Sequence, residues 1–167
     1  MRAALQVSMT DQTGKDHRFM ALNEVVLMRG GTGRLISLEA RVNGELLNRY
    51  RADGLIVATP TGSTAYSLAA GGPLIDEQAG VFVITPICPH SLSDRSLVLG
   101  DSSVIELEPI QRHSDSILFT VDGRDVLQLG ESSVVRVERA PSPLKIVRLP
   151  SHSFYETLRG KLGWSGG

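Results

Sequence analysis

Short apolar runs, separated by clusters of Gly, Pro, Ser and Asp, dominate the chain and predict a mainly β structure. The clearest run covers residues 36–42, where apolar and polar side chains alternate with a period of two. Asn43-Gly44 then predicts a two-residue hairpin turn, with residues 45–51 as the returning strand. Asp122-Gly123 predicts a second hairpin. Further strands are predicted over residues 5–9, 24–28, 55–58, 81–85, 103–108, 117–121 and 134–138.

Helical patterns occur at two places. Residues 65–70 are mostly good helix formers, and Gly71-Gly72-Pro73 ends that segment. Ser153 and Glu156 have the spacing of a capping box, which predicts a second helix carrying Leu158 and Leu162. Many strands with two short helices favour a β-sandwich-like fold. We expect residues 1–167 to form a single domain.

Composition narrows the class of protein. The chain has 167 residues, of which 41% are hydrophobic and 21% charged, so intrinsic disorder is not expected. A net charge of −1 gives no reason to expect a nucleic acid or an acidic membrane surface as a partner. No apolar run is long enough to span a bilayer, and no signal peptide opens the chain. Because Cys88 is the single cysteine, we expect a reducing compartment, the cytoplasm.

The segment 54–73 carries the strongest chemical signal. A buried strand, a small polar turn at residues 61–64 and a helix start would leave N–H groups and hydroxyls near one another, which favours an anion or a polar ligand. A P-loop is excluded because no Lys follows Gly62, and a nucleophile elbow is excluded because its Gly-x-Ser-x-Gly pattern is absent there. The structural alternative is an ordinary helix capped by Ser63 or Thr64.

Five segments together resemble the NAD kinase family, in the family's own order. They are Leu22 to Val26, Asp53 to Pro73, Thr85 to Leu92, Arg95 to Val98 and Lys161 to Trp164. The resemblance implies the β-sandwich-like C-terminal domain of that family. It also implies a transferase that moves a phosphoryl group from ATP to the adenosine ribose 2′-hydroxyl of NAD, giving NADP.

The family's Gly-Gly-Asp-Gly-Thr motif, which belongs to its N-terminal domain, is missing from this sequence. Gly30-Gly31-Thr32-Gly33 lacks the Asp and lies in the wrong place, after the segment Leu22 to Val26 that carries Asn23 and Glu24, called here the Asn-Glu segment. The resemblance therefore implies a piece of a longer enzyme, with no catalytic residue in this chain and no kinase activity of its own. It implies Mg²⁺ arriving with ATP in the full-length enzyme, no metal bound by this chain alone, NAD and NADP as partners, and a homodimer or homotetramer.

The resemblance also assigns ligand contacts. It places Asn23 and Glu24 on a ribose, Asp53 on the nicotinamide amide, and Thr64 with its neighbours on the adenine. The full set of NAD-binding residues that it implies, Arg34, Arg51 and Arg124 included, is Asn23, Glu24, Arg34, Arg51, Asp53, Thr61, Thr64, Ala65, Tyr66, Ser67, Leu68, Ala69 and Arg124.

Several of these assignments have a structural alternative. Asn23-Glu24 would otherwise be a solvent-exposed strand end, and Asp53-Gly54 a simple turn. Tyr66 and Ala69 share one side of a helix, so core packing competes with ligand contact for that pair. Arg124 stands where relatives carry Gln, which favours an exposed hairpin arginine.

Two further positions lie in a segment that resembles the family's later motifs. For Cys88 the pattern favours a buried small hydrophobe, and for His90 a hydrogen-bonded structural histidine. At the level of the whole chain, the alternative function is a non-catalytic dinucleotide-binding or assembly module.

Overall fold

Two six-stranded antiparallel sheets make up the fold. The computed structural model of the chain describes residues 1–11, 13–31, 34–110, 116–130, 133–147 and 153–164. The strands are β1 (Leu5–Thr10), β2 (Asp16–Ala21), β3 (Glu24–Arg29), β4 (Ile36–Val42), β5 (Glu45–Ala52), β6 (Gly54–Ala58), β7 (Val81–Ile87), β8 (Leu97–Gly100), β9 (Ile105–Pro109), β10 (Ile117–Val121), β11 (Arg124–Leu129) and β12 (Val135–Arg139). The helices are α1 (Tyr66–Ala69) and α2 (Phe154–Leu162), with a 3₁₀ turn at Gly62–Thr64. The β-sandwich-like prediction is confirmed.

The first sheet has the strand order β2-β1-β12-β9-β4-β5 and the second has the order β11-β10-β3-β6-β7-β8. The chain changes sheets several times, and the shortest of these crossings, between β5 and β6, consists of Asp53 alone. In the second sheet β3 and β6 are central neighbours, with Glu24 opposite Ala58 and Met28 opposite Gly54. This antiparallel register fixes where the predicted site residues lie.

The main core fills the space between the sheets. Alternate residues of each strand point into it, including the fully buried Val25, Leu27, Leu55 and Phe119. A second, smaller cluster lies on the outer side of the second sheet, where Val26, Ile56 and Val83 are covered by Ile75. Strand β6 is buried on both faces, as its uninterrupted apolar sequence predicts.

Both predicted hairpin turns are formed. Asn43 and Gly44 have φ of 52° and 81°, and Asp122 and Gly123 have φ of 48° and 75°. Two consecutive residues with positive φ are the signature of a type I′ turn, which Asn-Gly and Asp-Gly favour.

Three strands have no predicted counterpart of their own, namely β2, β8 and β11. All three are edge strands. An edge strand buries little on its outer side, so its sequence carries a weak hydrophobic signal. In β2 polar residues are mixed with Phe19, Met20 and Ala21, and β8 is four residues long.

The two helices match their predicted positions. α1 is a single turn, and Gly71 with φ of 85° ends it, as expected. α2 begins at Ser153, whose side chain accepts a hydrogen bond from the Glu156 N–H, and ends at the left-handed Gly163. Within the described residues, no helix is long and apolar enough to cross a membrane.

Candidate functional site

The start of β3 is locked to the segment that follows β6. The Thr59 N–H donates to the Asn23 carbonyl (2.8 Å), and the Thr59 hydroxyl donates to the Leu22 carbonyl (2.6 Å). Gly62 packs so tightly here that a Cβ atom would lie 2.1 Å from the Asn23 carbonyl oxygen. The Asn-Glu segment and the 61–69 segment, which are far apart in the sequence, therefore form one structural unit.

Asp122 fixes the backbone of the Asn-Glu segment. Its carboxylate accepts hydrogen bonds from three consecutive amides, those of Leu22 (2.8 Å), Asn23 (2.8 Å) and Glu24 (3.1 Å). The sequence predicts Asp122 only as a hairpin residue, because nothing local indicates that its side chain reaches back across about a hundred residues. Asp122 is thus a site residue that sequence reasoning missed.

Glu24 is a buried acid with one unsatisfied oxygen. The residue is 5% exposed, and within the described part of the chain its Oε2 has no hydrogen-bond partner. Burial raises the pKa of the Glu24 carboxyl above its usual value and the nearby Asp122 charge raises it further, whereas the Tyr66 backbone N–H donates to the carboxylate and opposes the shift. The alternative of a solvent-exposed strand end is therefore wrong for Glu24. An unpaired buried carboxylate oxygen is costly, and a ligand donor would satisfy it.

The hydroxyls of the 61–67 segment are mostly used inside the protein. Ser63 donates to the Pro60 carbonyl (2.7 Å) and accepts from the Ile75 N–H (3.1 Å). Thr64 donates to the Thr61 carbonyl (3.1 Å), and the buried Ser67 hydroxyl bonds to that of Thr85 (2.9 Å). Neither Ser63 nor Thr64 caps a helix: residue 65 holds the cap position of α1 and no side chain bonds there, so the capping alternative is wrong. These bonds rigidify the turn.

The side chains of α1 divide into buried and exposed sets. Tyr66 and Ala69 are exposed, so the core-packing alternative for that pair is wrong. Ala65 and Leu68 are partly buried, and Ser67 is the buried member of the helix. Tyr66 thus offers an amphipathic ring to solvent beside the Glu24 carboxylate that its own N–H contacts.

Asp53 lies at the other end of the β3–β6 pair. Its Oδ1 forms an ion pair with Nε of Arg29 (3.0 Å), and its carbonyl accepts from the Arg29 N–H (3.0 Å). Arg29 is a second residue that sequence reasoning missed, because the pairing depends on strand register. Arg51 is exposed near the end of β5, and Asp53 lies in the bend between β5 and β6. Arg34 is exposed two residues before β4, whose first residue pairs with Ala52.

Glu24 and Asp53, each with its neighbours, therefore form two groups at opposite ends of one strand pair. Glu24 and Arg29 are separated by five residues along β3, which corresponds to roughly 16 Å. Glu24 is on the strand face that also carries Val26, whereas Arg29 is on the alternate face with Leu27. We call these groups the Glu24 end and the Asp53 end. Arg124, exposed next to the Asp122 turn, belongs to the Glu24 end.

Two neighbouring residues differ from their expected environments. Cys88 is exposed and has φ of 44°, so the prediction of a buried small hydrophobe is wrong. His90 is also exposed. Its backbone N–H donates to the Arg51 carbonyl (2.8 Å), and its side chain makes no hydrogen bond within the described residues, so the structural histidine is not found.

Two cavities border this region. The smaller, of about 150 Å³, lies between the turn and α2 and is lined by Thr61, Thr64, Phe154, Thr157, Leu158 and Lys161 together with Arg2 and Glu77. The larger, of about 570 Å³, lies between the chain start and the loop after α1, and its charged lining residues are Arg2, Glu77, Asp101 and Arg139. These four form two ion pairs, Arg2–Glu77 and Arg139–Asp101. Thr61 and Thr64 thus face a hollow that Asn23, Glu24 and Asp53 do not line.

Metal ligands are not grouped in the described part of the chain: no set of three or more His, Cys, Asp or Glu residues there is placed to hold an ion. The polar groups of the site are hydrogen-bond donors and acceptors, among them the Glu24 carboxylate and the Asp53–Arg29 ion pair. Such groups suit a polar organic ligand.

Two packed antiparallel sheets, with polar residues at the ends of the central strands β3 and β6, define a β-sandwich-like domain with a candidate ligand site. Comparison with known proteins specifies the family. Residues 22–149 match the model of the ATP-NAD kinase C-terminal domain, and the chain belongs to this family.

Relatives and solved structures agree with this match. The chain is 49% identical over 150 residues to the NAD kinase of Caldicellulosiruptor saccharolyticus, covering 89% of this chain and 55% of that protein. The crystal structure of yeast NADH kinase complexed with NADH superposes with a TM-score of 0.89 at 29% identity, over 99% of this chain and 51% of that one. An NAD kinase from Archaeoglobus fulgidus in complex with ATP gives a TM-score of 0.76 at 25% identity, over 98% of this chain and 61% of that one. The chain spans about half the length of the relatives it matches.

Proposed function

We propose that this chain is the NAD-binding domain of an NAD kinase, the enzyme that transfers a phosphoryl group from ATP to the adenosine ribose 2′-hydroxyl of NAD. The family match supports this assignment. The single structural observation that carries it is the buried Glu24 carboxylate, whose Oε2 lacks a partner among the described residues and lies where the Asn-Glu segment meets the 61–69 segment.

The chemistry of the two ends suits the two halves of a dinucleotide. A carboxylate accepts hydrogen bonds and a side-chain amide both donates and accepts, so Glu24 and Asn23 complement a ribose diol. The exposed Tyr66 ring adds a flat apolar surface for adenosine. At the far end, Asp53 accepts from the nicotinamide amide.

In this proposal the chain positions the substrate and the rest of the enzyme supplies the chemistry. Phosphoryl transfer depends on neutralisation of the phosphate charge and on alignment of the acceptor hydroxyl with the transferred phosphoryl group, so the acceptor must be bound in a fixed position. Asp122 contributes by fixing the backbone of Asn23 and Glu24. Mg²⁺ would come with ATP in the full-length enzyme, where it would neutralise phosphate charge. The acid of the Gly-Gly-Asp-Gly-Thr motif is not among the residues of this chain.

Calorimetric titration of the chain with NAD tests the proposal. We expect binding to the wild type, at least tenfold weaker binding to Glu24→Gln and Asp53→Ala, and unchanged binding to Arg18→Gln, which alters an exposed residue of the first sheet. Binding that both site variants retain at full strength would overturn the assignment of these residues. No binding to the wild type would favour an assembly module.

A kinase assay tests whether this chain binds the substrate without catalysing the phosphoryl transfer. With ATP and Mg²⁺ the purified chain should form no NADP, because the motif that activates the hydroxyl is absent from it. Robust NADP formation would contradict the proposed role as the substrate-binding part.

A further inference from the structure

Arg29 and Asp53 present hydrogen-bond donors beside an acceptor where the central strands β3 and β6 meet at one end of the second sheet, and both side chains are partly exposed. We propose that Arg29, through its ion pair with Asp53, is a specificity-determining residue that favours a nicotinamide carboxamide over the corresponding carboxylic acid. This inference rests on the proposed function, because it takes the Asp53 end as the nicotinamide end.

The backbone holds Asp53 in one place. Its carbonyl accepts from the Arg29 N–H (3.0 Å), and its N–H donates to the Ile87 carbonyl (2.9 Å). The next residue, Gly54, leaves no space for a side chain, since a Cβ atom would lie 2.7 Å from the Leu27 carbonyl oxygen. Three strands therefore fix the backbone that carries the carboxylate, and a fixed backbone supports discrimination between similar ligands.

The pair retains capacity for a ligand. The ion pair uses Oδ1 of Asp53 and Nε of Arg29. Within the described part of the chain, Oδ2 of Asp53 and the two Nη groups of Arg29 make no hydrogen bond. The side chains are 28% and 38% exposed, so a ligand can reach both.

A primary carboxamide complements this arrangement. Its N–H₂ group donates to a carboxylate that only accepts, and its carbonyl accepts from a guanidinium that only donates. A nicotinic acid group is ionised at neutral pH and has no donor. It would leave Oδ2 of Asp53 unsatisfied and place a like charge beside it, which disfavours the acid.

Replacing Asp53 should reverse this preference. In Asp53→Asn the negative charge is lost and Arg29 is left without its ion-pair partner, so Arg29 should attract the acid. A preference for the acid that depends on Arg29 would show that the Arg29 guanidinium faces the carboxamide position. An Arg29 that only stabilised the fold would not produce this preference.

The experiment is a calorimetric titration of the whole chain with NAD, nicotinic acid adenine dinucleotide and ADP-ribose, which lacks the pyridine ring. We expect the wild type to bind NAD about 5- to 20-fold more tightly than the acid. This factor lies at and below the low end of what a charge-assisted hydrogen bond contributes, because the pair is partly exposed. In Arg29→Gln the affinity for NAD should fall about 3- to 10-fold toward that for ADP-ribose. Asp53→Asn should bind the acid at least as tightly as NAD, and adding Arg29→Gln to Asp53→Asn should remove that preference.

Controls separate folding from recognition. All variants should bind ADP-ribose as the wild type does, and Arg18→Gln should keep the wild-type order of ligands. Equal wild-type affinities for NAD and the acid, or wild-type affinity for NAD in Arg29→Gln, would overturn the inference while leaving the proposed function intact. Failure of the wild-type chain to bind any of the three ligands would overturn both.

Discussion

Replacing Asp122 with Ala should unfold the domain at a lower denaturant concentration than any ordinary hairpin substitution. The variant loses three hydrogen bonds from consecutive amides to one carboxylate. Hydrogen bonds to a charged group contribute about 1.5–3 kcal/mol each. Asp122 is half-buried, so hydrogen bonds to water in the variant replace part of the lost free energy. Removal of the Asp122 charge also relieves its repulsion with Glu24. We expect a net loss of about 3–5 kcal/mol, including the strain of Ala at positive φ.

Asn43→Ala is the matched control. Asn43 occupies the first position of the other type I′ hairpin, with φ of 52° against 48° for Asp122, so both variants carry the same backbone strain. Its side chain accepts one neutral hydrogen bond, from the Val104 N–H (2.8 Å). We expect about 1–2 kcal/mol for Asn43→Ala, which leaves a difference of about 2–3 kcal/mol for the carboxylate.

Urea unfolding measures this difference, provided that the slope with denaturant is the same in both variants. In thermal melts the same difference corresponds to a gap of roughly 4–12 °C for a chain of this size. If Asp122→Ala and Asn43→Ala lose the same stability to within about 0.5 kcal/mol, the claim that Asp122 holds the Asn-Glu segment is refuted.

Two further substitutions test the same unit. The stability of Glu24→Gln relative to wild type should rise with pH. The pKa of Glu24 is raised in the folded state, so the protonated side chain contributes stability to the wild type at acid pH. That contribution is lost as the pH rises from the usual glutamate range through the folded-state pKa. Urea unfolding across pH 4–8 measures it, and a difference that does not change with pH would contradict the burial of Glu24. Gly62→Ala should destabilise the domain by about 1–3 kcal/mol and weaken NAD binding, because the new Cβ would meet the Asn23 carbonyl. Gly160→Ala in α2, where nothing lies within 4 Å, is its control, and equal melting temperatures for the two would refute the tight packing.

Local pattern accounts for much of the fold. Interior strands such as β4 and β6 combine the right period with β-forming residues, and the Asn43-Gly44 and Asp122-Gly123 turns carry their own conformational preference. The α2 helix follows from its capping box. Strands β2 and β8 could not be derived in this way, since an edge strand is held by its neighbour more than by its own hydrophobicity.

The candidate site depends on longer-range contacts. The sequence indicates Glu24 and Asp53 as ligand groups only through resemblance, and it contains no sign of their partners. Arg29 meets Asp53 because of the β3–β6 register, and Asp122 meets the Asn-Glu segment because β10 pairs with β3. The hydroxyls of Ser63 and Ser67 look available in the sequence, yet the Ile75 amide and the Thr85 hydroxyl use them. Pairing of this kind is set by topology, which local propensity does not encode.

The most direct test of where the dinucleotide binds is a map of amide chemical-shift changes during titration of the isotope-labelled chain with NAD. The account predicts that the largest changes fall at both ends of the β3–β6 pair, at residues 23–24 and 64–67 and at residues 53–54. Changes concentrated instead around the larger cavity, at Glu77, Gly80 and Asp101, would contradict it.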